Sequence, residues 1–157
     1  VTEEHEKHHI VVGVEGSGGA ASALRWAMRE ATVHGSVVEV LTAYSPTYGA
    51  ASPDFNYVPL DPKQLAAEVT RMQDRVVNQV LETVDAADVE VMRTMTRGRP
   101  VDSLIAASEH ADMLVVGSRG RGGFRGLLLG SVSQQLAQHA ACPLVIVRPD
   151  LLVDHLL

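Results

Sequence analysis

Five short aliphatic runs, each followed by a turn and a segment of helical spacing, restrict this chain more than any other feature. The runs are Ile10–Val14, Val37–Ala43, Val89–Met95, Met113–Val116 and Leu144–Val147. Nearly continuous apolar runs of this length are expected for strands buried on both faces, as in parallel sheets. Between the first two, Ala20, Ala23, Leu24, Ala27, Met28 and Ala31 recur at helical spacing, with His34-Gly35 as the stop. Leu65, Val69, Met72, Val76, Val80 and Val84 mark one face of a second helix. Pro100 opens a third, carrying Val101, Leu104 and Ile105, and Ser131–Ala140 is the fourth. Ser45–Pro62 holds four prolines and is expected to be a long surface loop. The alternation predicts an α/β fold: an open five-stranded parallel sheet with helices on both faces.

Composition narrows the class. A length of 157 residues fits one domain with a sizeable core. Aromatic residues are only 4%, so that core must be aliphatic. The net charge of −6 argues against general nucleic-acid binding, which needs excess positive charge. No run approaches the roughly 20 apolar residues that span a bilayer, so no membrane partner is expected. Val1–His9 lacks the apolar stretch of a secretory signal, and Cys142 is the single cysteine. A reducing, cytoplasmic setting follows as the expectation.

In open α/β sheets, ligands sit beyond the carboxyl ends of the strands. Two glycine-rich segments fall there: Gly13–Gly19, and the stretch from Gly117 to Ser131. The second suits an anion. Glycine lets backbone approach a ligand closely, and Gly130-Ser131 opens a helix whose free N–H groups and dipole favour phosphate. Ser131 is placed to cap that helix or to give its hydroxyl to a ligand. Arg119, Arg121 and Arg125 add three cations to the same loop. A solvated connecting loop is the plain alternative. The stretch is not a Walker A loop, since no Lys follows the glycines. It breaks the dinucleotide fingerprint at Arg125, and it contains no Gly-x-Ser-x-Gly nucleophile elbow.

The spacing Gly117-x2-Gly120-x9-Gly130-Ser131 resembles the ATP-binding motif of the universal stress protein family. Ile10–Ser17, Arg99-Pro100, Ala111–Gly120 and Ala141–Val147 resemble family segments too, so the resemblance covers about residues 9–149. It leaves residues 1–8 as a flexible segment and 150–157 as a C-terminal tail. The resemblance implies the strand order 3-2-1-4-5 and a homodimer. It implies ATP, accompanied by Mg²⁺, near Gly13, Glu15, Ala43, Gly117, Arg119, Gly120, Gly130, Ser131, Val132 and Ser133. Family ATP binders usually carry Asp where this chain has Glu15. The longer side chain pushes its carboxylate toward the nucleotide. Ala43 falls where the second strand contacts adenine, a place an ordinary strand residue fills equally well.

The implied function is nucleotide-dependent regulation in stress response, with no catalytic residues. The alternatives are a dimerising interaction module with no nucleotide, and a slow ATPase. The fifth strand lies at a sheet edge in the implied order and carries no charge, which makes Leu144–Val147 the expected dimer contact. His5, His8 and His9 have helical spacing that suits Zn, against a plain reading as a frayed terminus. Cys142 is expected to be structural, His139 a surface or interface residue, and Asp102 with Glu109 a solvated face. Leu151, Leu152, Val153, Leu156 and Leu157 form an apolar tail expected to pack on the body or a partner.

Overall fold

The computed structural model describes residues 7–46, 61–120, 126 and 128–149. The apolar tail, His5, Arg121 and Arg125 lie outside the described residues, as does most of the expected Ser45–Pro62 loop.

The strands are β1 (His9–Gly13), β2 (Val37–Tyr44), β3 (Val91–Arg97), β4 (Met113–Gly117) and β5 (Leu144–Val147). The helices are α1 (Gly18–His34), α2 (Pro62–Leu81), α3 (Pro100–Ser108) and α4 (Ser131–His139). All strand pairings are parallel, and the order is β3-β2-β1-β4-β5. Every sequence-derived strand is present. β3 begins two residues later than expected, at Val91, and runs to Arg97 because it pairs with β2 as far as Tyr44.

Alternation along the strands sorts side chains to two cores. Ile10, Val12, Val38, Val40 and Val115 face the side covered by α1 and α2. There they meet Ala20, Ala23, Leu24, Ala27, Met28 and Ala31, all of which are buried as the spacing predicted. Val11, Leu41, Leu114 and Val116 face the other side, against Leu104 of α3 and Leu136 of α4. Small alanines let α1 lie close to the sheet, and the fully buried residues are aliphatic apart from a few polar ones. α1 ends at Gly35, whose φ of 67° is the left-handed conformation glycine adopts without a Cβ penalty.

One buried residue departs from the periodic reading of α2. Its buried face is Gln73, Val76, Val77 and Val80. The Gln73 amide nitrogen donates to Val40 O, Thr42 Oγ1 and Thr94 O at 3.0–3.1 Å, tying the helix to both β2 and β3. A buried amide is tolerated only with such partners.

His8 and His9 run extended into β1 rather than along a helix. Instead of the helical i, i+4 arrangement, His9 Nε2 lies 2.9 Å from Glu39 Oε2 and His8 Nδ1 lies 3.9 Å from Asp112 Oδ2. Among the described residues no group of three or more His, Cys, Asp or Glu is placed to hold a metal. No described helix is long and apolar enough to cross a membrane.

Candidate functional site

The chain order reverses direction across the sheet between β1 and β4, which lie side by side at its centre. Such a switch point opens a crevice beyond the strand ends. Two segments enter it: Val14–Ser17 after β1, leading into α1, and the loop after β4, leading into α4.

The first segment is closed by its own side chains. Ser17 is the N-cap of α1, and its Oγ accepts the Ala20 N–H at 3.1 Å. Glu15 Oε1 accepts the Ser17 N–H at 3.1 Å and the Ser17 hydroxyl. Two of the free donors at this helix start, the Ser17 and Ala20 N–H groups, are thus satisfied from within. Ser17 was legible as a cap from its place before the alanine run, although the sequence reading took it as part of a turn.

The second segment leads into a helix with no side-chain cap. Gly130 is the N-cap of α4 and provides no side-chain acceptor. The first N–H groups of a helix and the positive end of its dipole lie at its start, which for α4 follows Gly130. The described residues on either side of the loop are joined to one another. Gly130 N–H donates to Ser118 O at 2.6 Å, and the buried Ser133 hydroxyl lies 2.9 Å from Ser118 O and 3.0 Å from Gly130 O. Ser133 therefore holds the loop to the helix. Val132 is half-buried and packs on the α3/α4 core, while Ser131 is exposed at the mouth.

The glycines divide into two kinds. A β-carbon on Gly117 would stand 2.8 Å from the carbonyl carbon of Gly19 and 2.9 Å from its oxygen. One on Gly19 would stand 2.8 Å from Arg119 O. Here backbone meets backbone, and the β4 exit packs on α1 only because both residues lack side chains. Gly19 was not singled out as such a contact by the sequence reading. Gly120 and Gly130 differ. Among the described residues, a β-carbon on Gly120 would meet nothing nearer than Glu15, at 3.7 Å, and one on Gly130 nothing nearer than Arg119 Cα, at 3.4 Å. Neither has positive φ, and Gly130 sits at φ −75°. These torsions and the packing of the described residues leave room for a side chain at both.

The remaining expected residues are placed as follows. Gly13 packs under α3, where its β-carbon would lie 3.1–3.2 Å from the Leu104 methyl groups and 3.3 Å from Val116 Cγ1. Ala43 is half-buried in β2, opposite Thr96 of β3. Arg119 is half-buried beside Gly120. Asp102, Glu109 and His139 are exposed. Cys142 is half-buried, and desolvation pushes its thiol pKa up, with the nearby Asp112 charge acting in the same direction. That disfavours the reactive thiolate.

Residues 7–148 match the Universal stress protein family. Universal stress protein Rv2028c of Mycobacterium tuberculosis is 35% identical over 157 residues, covering 95% of this chain and 51% of that protein. Universal stress protein Rv2623 of the same organism is 32% identical, covering 90% of this chain and 46% of its own length. The chain thus spans about half the length of the curated relatives it matches. Among solved structures, universal stress protein UspA from Lactobacillus plantarum superposes with a TM-score of 0.70 at 21% identity, covering 92% of this chain and all of that one. A universal stress protein in complex with cAMP gives 0.63 at 23%, covering 91% and 98%. One from Archaeoglobus fulgidus in complex with dAMP gives 0.56 at 19%, covering 90% and 97%. The strand order, the glycine motif at the β1/β4 crevice and the match over nearly the whole chain agree, and the chain belongs to the universal stress protein family.

Proposed function

We propose that this chain is a cytoplasmic regulatory domain of the stress response that binds an adenine nucleotide between β4 and α4. Its phosphate rests on Gly120, Gly130 and the Ser131 N–H and hydroxyl. ATP, with Mg²⁺ offsetting the triphosphate charge, is the ligand the motif implies. One observation carries the reading. Among the described residues nothing comes nearer than 3.4 Å to where a β-carbon on Gly120 or Gly130 would stand, and Gly130 starts a helix without a side-chain cap. The cAMP and dAMP complexes of structural neighbours support the ligand class. The loop offers donors that hold an anion, so the reading is of binding coupled to a change of shape or partner, without catalysis. Mass spectrometry of small molecules released from the native purified protein tests it. Release of an adenine nucleotide is the expected result. An empty protein that also fails to bind nucleotide in titration would favour the alternative, an interaction module with a vacant crevice. The engagement of Glu15 by Ser17 is the observation on that side.

We further propose a homodimer through Leu144–Val147. Among the described residues β5 pairs with β4 alone and is an edge of the sheet, and its side chains are uncharged. The opposite edge, β3, carries Arg93 and Arg97, which discourage strand addition. Ile146→Lys is expected to dissociate the dimer with helical content kept. A wild-type protein sedimenting as a monomer at micromolar concentration would refute the assembly.

A further inference from the structure

Glu15 leaves β1 at the switch point and is fastened to the chain just beyond it. Its Oε1 accepts from the Ser17 N–H and the Ser17 hydroxyl. Ser17 is itself fixed, because its Oγ caps α1. The carboxylate is therefore anchored by two donors of a residue that is part of a helix start. It is also close to the bare glycines. Its Cδ lies 3.7 Å, and both oxygens 3.9 Å, from where a Gly120 β-carbon would stand. Gly120 N in turn lies 3.6 Å from the corresponding point on Gly130. A negative charge thus lies within 4 Å of the Gly120 β-carbon position, next to Gly130.

We propose that Glu15 makes this site select nucleotides by phosphate charge, favouring a cyclic or monophosphate over a triphosphate that lacks a bound cation. The inference rests on the phosphate seat proposed above and goes beyond it by ordering the ligands. Coulomb repulsion scales with the product of the charges and is strongest within a few ångströms, where water and salt screen least. A cyclic phosphodiester carries the least charge and a triphosphate the most. Arg119 and the α4 dipole attract every member of the series, so the site still binds anions. The anchored carboxylate opposes them in proportion to their charge. Mg²⁺ on the triphosphate removes much of that opposition, since a bound dication inverts the local charge balance. Phosphate charge and divalent cation together then decide which nucleotide occupies the site.

The test is calorimetric titration of cAMP, AMP and ATP at low salt, first with EDTA and then with Mg²⁺, on wild type and Glu15→Gln. Glutamine keeps an oxygen that accepts from the Ser17 donors and removes the charge. In EDTA, wild type is expected to bind ATP at least about tenfold more weakly than AMP. Mg²⁺ narrows that ratio, and so does Glu15→Gln, to within about threefold. Wild type binding ATP as tightly as AMP in EDTA would overturn charge selection, as would a ratio that Glu15→Gln leaves unchanged. Either result leaves the phosphate seat standing. Binding of none of the three nucleotides, by either protein, would overturn the seat and the selection together. If circular dichroism shows Glu15→Gln unfolded, the wild-type Mg²⁺ series decides: a ratio that Mg²⁺ does not move refutes the role of charge.

Discussion

Two helices start side by side at the centre of this sheet, and they are finished differently. α1 begins with a serine cap, an acid that braces the cap, and Gly19 pressed against Gly117. The Ser17 and Ala20 N–H groups are met by side chains, and Gly19 is in backbone contact with the β4 exit. α4 begins at Gly130, with no side-chain cap, with Gly120 beside it and, among the described residues, no close contact that demands either glycine. Both segments are glycine-rich in sequence. The glycines of the first pair let two backbones touch. Those of the second meet no such close contact among the described residues. A glycine that the protein itself needs and one that it merely keeps bare have different consequences when replaced, and that difference separates fold from function here.

The comparison breaks most visibly at Gly117. Gly117→Ala drives a β-carbon into the Gly19 carbonyl, and overpacking of this kind typically costs about 1–3 kcal/mol. Urea unfolding is expected to show a loss in that range. A midpoint equal to wild type would mean that the β4–α1 contact relaxes freely, and the division between glycines would lose its structural half.

Gly130→Ala is the converse. Alanine tolerates φ −75° and meets only ordinary contacts, so stability should fall by no more than about 1 kcal/mol, the usual scale of an N-cap change. Nucleotide affinity should fall about tenfold, or roughly 1.4 kcal/mol, as the methyl group enters the phosphate space. Paired melting and titration of labelled nucleotide measure both quantities. Unchanged affinity would remove Gly130 from the site.

Glu15→Asp sharpens the contrast between the two helix starts and has the smallest expected effect. Shortening the side chain withdraws the carboxylate from Gly120, so ATP is expected to bind a fewfold tighter with the fold intact. Equal or weaker binding in a direct titration would show that the glutamate is already accommodated.

Much of this was legible in the sequence because the signals are local. The aliphatic runs marked every strand, the alanine spacing marked the buried face of α1, and Gly35 marked its end. The strand order came with the family motif, since spacing within one segment says nothing of its neighbour in the sheet. What escaped depends on contacts between distant residues. Gln73 is a polar residue in an apolar stripe, and only the carbonyls of β2 and β3 brought beneath it make its burial tolerable. The Gly19–Gly117 contact joins the start of α1 to the end of β4, so neither glycine alone could reveal which of the motif's glycines the fold itself requires. Ser133 followed the motif as an expected ligand contact, and its hydroxyl is engaged with Ser118 and Gly130 carbonyls through the loop's own closure.

The claim that the bare glycines form a phosphate seat is tested most directly by following backbone amide resonances of ¹⁵N-labelled protein during titration with AMP. Saturable shifts should be largest at Gly120, Gly130, Ser131 and Val132, with Gly19 and Gly117 moving less. Shifts confined to another surface, or amides at Gly120 and Gly130 that stay still while AMP binds, would contradict the account.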